Sequence, residues 1–237
     1  MATRQSLSGG NFAANAIGFI PPAISGLNRW LLFGNASGDN TNLAPGASSL
    51  TNVGTGPVLH AGYGTFTPTT AALDTGLADT AGILPMSFMF AARTGSTTAA
   101  AIFGTYAGGT KGYELEFNSS SNALRLVISG TYIQTQAAVG GAVSAFRLYG
   151  VVIPATGGVP VMYDLTSQAT YTGTTLGAYT ANTGHNLQIG QYPEGIDAGN
   201  STDLAFWADW NGVLTLSQLN SQAASVRFTL AARGVVV

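Results

Sequence analysis

The stretch Trp210-Asn211-Gly212-Val213-Leu214-Thr215-Leu216-Ser217-Gln218-Leu219 limits what this chain can fold into more than any other. A run with the character of a strand ends in a tryptophan, turns through Asn211-Gly212 and enters a helix. Thr215 and Gln218 have the spacing of a capping box: the threonine oxygen accepts the Gln218 amide, and the glutamine reaches back to the Thr215 amide. Leu216, Leu219 and Ala223 share one face, which predicts a short amphipathic helix. Almost everything before it reads as short strands and turns. Many strands closed by one small helix point to an all-β fold.

The strands can be placed in order. Residues 27–33 form the first, followed by the Asn- and Gly-rich loop 34–42. Residues 43–82 give only short strands, near 57–60 and 63–66, between Gly, Pro and Thr breakers. Residues 86–93 are apolar on both faces, as in a central strand of a sandwich. Residues 99–106 are the next strand. In 111–118, Tyr113, Leu115 and Phe117 alternate with Glu114 and Glu116. After a turn at 119–122, 123–129 returns with Leu124, Leu126 and Ile128 inward, and 131–136 completes a meander. Strands follow at 144–153, 159–165, 186–190 and 202–210. The count is about a dozen, with no internal repeat and no linker. This predicts one sandwich over 27–222, preceded by an N-terminal arm, 1–26, and followed by a C-terminal strand or tail, 223–237.

Composition narrows the function. A chain of 237 residues can bury roughly 70–75% of its unfolded surface, enough for a sizeable core. Charged residues are only 8%, against a usual share of about 25%. A folded surface so poor in charge has little protection against self-association. The net charge of −2 and eight scattered cations argue against nucleic acid, which requires clustered Lys and Arg. No apolar run reaches the length of about 18 residues expected of a membrane span, and residues 1–10 lack the pattern of a secretory signal. Cysteine is absent, so disulfides and thiol chemistry are excluded. In the arm, Phe12, Ile17, Phe19 and Ile20 precede Pro21-Pro22. In the tail, Val235-Val236-Val237 would promote aggregation if exposed. Both sets suit docking between subunits or, for the tail, a strand paired within the sandwich.

Several of these residues together resemble a known family, the concanavalin A-like sandwiches of the laminin-G-like, pentraxin-like group. Residues 27–33 with their Asn- and Gly-rich loop are similar to that group's opening, and Met86–Arg93 to its central strand. Residues 113–128 look like its hairpin, and 148–163 like its long strand, turn and return. Leu187-Gln188-Ile189-Gly190 is similar to its glycine-ended strand, and Trp210-Asn211-Gly212-Val213-Leu214-Thr215 to its closing turn. Two positions depart from it. Ala145-Phe146 stands where a tryptophan is usual, and Ala205-Phe206 where an acidic pair is common. The resemblance implies a concanavalin A-like jelly-roll sandwich of antiparallel strands with one short C-terminal helix, as found in bacteriophage virion proteins, and it supports glycan recognition.

Candidate sites are few. Glu114 and Glu116 lie about 6.5–7 Å apart along a strand, near the separation of glycosidase carboxylates. Glucanases on this sandwich use three alternating acids where this chain has two, and the expectation is that both face solvent without a catalytic role. Asp39 and Asn42, with Asn35 and Asn40, could offer oxygens to calcium, although Asx residues are also ordinary turn formers. No other cofactor is implied. His60 and His185 are isolated. Strict alternation in 203–210 puts Leu204, Phe206, Ala208 and Trp210 on one face and Asp203, Ala205, Trp207 and Asp209 on the other. If the first face is core, Trp207 points outward between two carboxylates, a sugar platform that Tyr192 could extend. Alternatively Trp207 packs under the helix or against a subunit. Tyr171 and Tyr179 also sit in loop-like surroundings.

The expectation is therefore a non-enzymatic virion structural or surface protein, decorating a capsid or belonging to a tail or fibre. It would be made in the host cytoplasm, released by lysis, and partnered by its own copies and other virion proteins. The alternative is a carbohydrate-binding module for host-surface polysaccharide, and a glycoside hydrolase comes last.

Overall fold

The computed structural model describes residues 25–34, 42–44, 50–95, 98–106, 110–118, 123–129, 131–135, 144–193 and 200–237. In chain order the strands are β1 (Leu27–Leu32), β2 (Thr51–Gly54), β3 (Val58–His60), β4 (Tyr63–Phe66) and β5 (Ala71–Ala78). Then come β6 (Met86–Arg93), β7 (Ala100–Gly104), β8 (Tyr113–Asn118), β9 (Ala123–Ile128) and β10 (Thr131–Thr135). The last are β11 (Arg147–Ile153), β12 (Val161–Asp164), β13 (Ala169–Thr172), β14 (Asn186–Ile189) and β15 (Thr202–Asn211), before the helix α1 (Leu216–Ala231). They form two antiparallel sheets. One has the order β13-β12-β11-β6-β15-β4-β3, with β1 also paired to β15; the other runs β10-β9-β8-β7-β14-β5-β2. This is a jelly-roll-type β-sandwich with one C-terminal helix.

The first sheet is covered on both faces, which explains the apolar runs Phe88–Ala92 of β6 and Leu204–Ala208 of β15. Its inner face packs on the second sheet through Phe88, Phe90, Tyr149, Leu204 and Trp207. Trp207 meets Phe103 of the facing sheet edge-on, with centroids 4.8 Å apart. Its outer face packs under α1 through Trp30, Met89, Phe206, Ala208 and Trp210. Gly150 lets the helix approach, since a Cβ there would lie 3.1 Å from Leu219 Cδ1.

The capping box is present: Gln218 N–H donates to Thr215 Oγ1 at 3.2 Å, and Thr215 N–H to Gln218 Oε1 at 2.8 Å. The helix is longer than expected, with 16 residues, and it buries Leu219, Gln222, Ala223, Val226 and Leu230. Leu216, expected on that stripe, is exposed. Residues 223–231 thus continue the helix where a C-terminal strand or tail is expected from the sequence. The chain then turns through Gly234 at φ 78°, and Val235 N–H donates to Leu230 O at 3.0 Å. Val235 and Val237 pack onto the chain's own helix-side core while Val236 remains exposed. Strands β2, β5 and β13 carry no clear strand signal in the sequence, yet the eight residues of β5 pair both β14 and β2.

Candidate functional site

Strand β15 does not alternate strictly. A register shift between Leu204 and Phe206 marks a bulge against β6, which adds a residue and reverses the facing of the side chains beyond it. Asp203, Ala205, Phe206, Ala208 and Trp210 therefore lie on the helix side, and Leu204, Trp207 and Asp209 on the inner side.

This overturns the sugar platform expected from alternation. Trp207 is fully buried between the sheets, its indole N–H donating to Asp209 Oδ1 at 3.0 Å. Asp209 is equally buried and pairs with Arg29 at 3.1 Å, while Asn28 Nδ2 donates to its other oxygen at 3.1 Å. Burial pushes its carboxyl above the ordinary value, opposed by Arg29, the Trp207 indole and Asn28. Tyr192 is buried too, its hydroxyl 3.2 Å from Glu116 Oε2. Tyr171 lies in β13 against the core, and Tyr179 donates to the buried Asp79 at 2.6 Å. Burial, then the bond to Asp79, raises the Tyr179 phenol.

Asp203 is the member of the expected set that reaches the surface. It sits in a row across three strands, opposite Thr65 of β4 and Arg93 of β6. Its Oδ1 accepts the Thr65 hydroxyl at 2.6 Å, and its Oδ2 accepts Arg93 Nε at 2.8 Å. The Arg93 guanidinium lies over two rings, 4.7 Å from that of Tyr63 and 4.5 Å from that of Phe146. His60, opposite Tyr63 across β3 and β4, stacks on that ring at 4.6 Å and 18°. The side chains of Arg93 and Asp203 are 31% and 20% exposed, and His60 is exposed. Phe146 thus supplies one wall of this corner.

Glu114 and Glu116 do not face solvent, contrary to expectation; both are buried. The hairpin register places Arg125 opposite Glu116, and the two form an ion pair. Asp164 is likewise paired, with Arg147 at 3.0 Å, and its Oδ1 accepts the Thr166 and Ser167 amides. Asn42 acts as a clamp: its Oδ1 accepts the Trp30 and Ala44 amides at 2.9 and 3.0 Å, and its Nδ2 donates to Asn28 O. That oxygen therefore serves the backbone, which argues against Asn42 as a calcium ligand. Asp39, Asn35 and Asn40 lie outside the described residues, as do Phe12, Ile17, Phe19 and Ile20. Among the described residues no three His, Cys, Asp or Glu side chains gather into a metal site.

At the other end of the sandwich a groove of about 490 Å³ opens between the β5–β6 connection and the turn into α1. Leu77, Ile83, Leu84 and Pro85 wall it, and Thr80 and Asn211 add polar edges. Its size suits a small ligand, and none of its lining residues is titratable.

The sequence singles out Asp203 but not Arg93, Tyr63 or Phe146. No local signal joins Arg93 to Asp203, which lie 110 residues apart. Arg125 is not singled out either, although the hairpin register sets it opposite Glu116.

No family model matches this sequence, and no curated protein matches it. Solved structures do. The binding domain of botulinum neurotoxin serotype G superimposes with a TM-score of 0.62 at 9% identity, over 85% of this chain and 51% of that one. The serotype D binding domain gives 0.60 at 8%, over 85% and 52%. That of serotype D/C gives 0.60 at 9%, over 86% and 53%. At such identities the likeness is one of fold, a two-sheet jelly-roll sandwich, and this chain spans about half the length of the chains it matches.

Proposed function

We propose that this protein is a non-catalytic recognition module that binds carbohydrate presented on a surface. The observation that carries the reading is the state of its enclosed carboxylates. Glu116, Asp164 and Asp209 are each tied to an arginine, and Asp79 accepts the Tyr179 hydroxyl and the Asn182 amide. Acid–base catalysis needs a group within reach of substrate, whereas these groups hold strands together. Fold-level analogy adds support. The neighbours are binding domains, and botulinum neurotoxin type C enters cells in dependence upon interaction with two ganglioside molecules. A glycan array tests the reading, alongside a turnover assay on β-glucans and alginate-like polymers with a Glu114→Gln/Glu116→Gln control. We expect binding without turnover. Turnover lost in the control would make the protein an enzyme.

A second reading, a surface or structural component of a phage-like virion assembled from many copies, has its own observation. The only charged residue of α1 is Arg227, and its guanidinium folds back to Leu165 O. Phe228 and Val236 stand 81% and 82% exposed. An uncharged face of this kind suits burial by neighbours, with the 1–26 arm and Val236 as contacts. Light scattering on the purified chain should then show a defined oligomer; a strict monomer that does not associate with particles would count against it.

A further inference from the structure

We infer that the corner formed by His60, Tyr63, Arg93, Phe146 and Asp203 is the glycan site, and that it takes a carboxylate-bearing sugar. The inference rests on the carbohydrate-binding reading and adds the site and the class of ligand. Asp203 occupies only the Nε of Arg93. The two Nη nitrogens have no hydrogen-bond partner among the described residues, and the guanidinium is held over the Tyr63 and Phe146 rings. A guanidinium fixed in this way presents two parallel N–H donors, the geometry that matches both oxygens of a carboxylate. Its orientation is set before a ligand arrives, so little side-chain entropy remains to be lost on binding.

The surroundings favour an anion that also has an apolar face. Asp203 offsets the charge of Arg93 but engages only one edge of its guanidinium. His60 is exposed and held by stacking on Tyr63 at 4.6 Å, so its ring is offered to the C–H face of a pyranose. The Thr65–Asp203–Arg93 row is on sheet strands and not on a loop, which makes the geometry rigid. The fully buried Trp207 cannot serve in this way.

The test is an array holding carboxylated glycans beside their neutral counterparts (uronate methyl esters and asialo forms), probed with the full chain. Arg93→Lys keeps the charge and removes the fork. His60→Ala removes an exposed ring, and an unchanged melting temperature would confirm that this variant folds. We expect wild type to prefer the carboxylated member of at least one pair by about tenfold or more. We expect Arg93→Lys to abolish that preference and His60→Ala to weaken binding severalfold. Equal binding to both members of every pair, or a preference untouched by both variants, would overturn this site while leaving carbohydrate binding intact. Binding to no glycan would overturn the broader reading and this inference with it.

Discussion

The two ends of strand β15 behave differently. From Phe206 to Trp210 both faces are sealed, one by the opposite sheet and one by α1, so even Trp207 and Asp209 are core. At Asp203, near the C-terminal end of the helix, the same strand opens to solvent beside Arg93 and Tyr63. Residue type does not separate the two ends, since a tryptophan and an aspartate are buried in one and an aspartate and a tyrosine are accessible in the other. What separates them is the extent of the helix and one bulge that reverses the facing of the side chains.

Substitutions can break this contrast, beginning with the largest expected effect. Trp207→Ala at the sealed end should cost about 3–5 kcal/mol, as truncation of a large buried aromatic does. Urea unfolding would measure it, and a loss below about 1 kcal/mol would mean the ring is not core. Asp209→Ala should also cost about 3–5 kcal/mol at neutral pH, because it leaves Arg29 buried without its partner. This site adds a pH signature. Burial raises the Asp209 carboxyl above its ordinary 3.8, so the folded state holds that proton more tightly than the unfolded state. The group's titration-linked contribution is then complete below pH 3.8 and is lost as pH rises through the elevated value. The stability difference between wild type and Asp209→Ala should shrink over that interval, and a difference that grows would reverse the assignment.

Gly150→Leu tests how the helix seals the strand. The added side chain meets Leu219, Tyr163 and Leu165 and should cost about 1–3 kcal/mol through overpacking. Amide exchange followed by mass spectrometry should show α1 loosened before the sheets. Thr215→Ala removes one half of the capping box and should cost about 1 kcal/mol, read from the melting curve. Neither change should alter the glycan binding proposed for the Arg93 corner, and a loss there without unfolding would show that the two ends are coupled.

Much of this fold is legible in the sequence because its signals are local. Alternation marks β8 and β9, an apolar run marks β6, and Thr215 with Gln218 marks the start of the helix. Strand β5 is hidden because Ala71–Ala78 is built largely from Ala, Thr, Gly and Asp, mostly poor strand formers placed by pairing with β14 and β2. The second half of α1 is hidden because Gln222 interrupts its apolar stripe and Phe228, its largest apolar residue, points outward. The bulge in β15 carries no glycine to announce it. Without that signal, alternation misplaces Trp207, and with it the expected sugar platform. The corner around Arg93 joins β3, β4, β6 and β15 with the residue before β11, so its geometry exists only once the sheet has formed.

The chain has three tryptophans, Trp30, Trp207 and Trp210, and all are buried. Acrylamide quenching of their emission in the native protein, with and without a bound saccharide, tests most directly whether the sealed end of β15 is core and the open end is where recognition occurs. The account predicts blue-shifted emission, weak quenching and no change on adding saccharide. Red-shifted, readily quenched emission that a saccharide protects would contradict it by placing a tryptophan in the binding site.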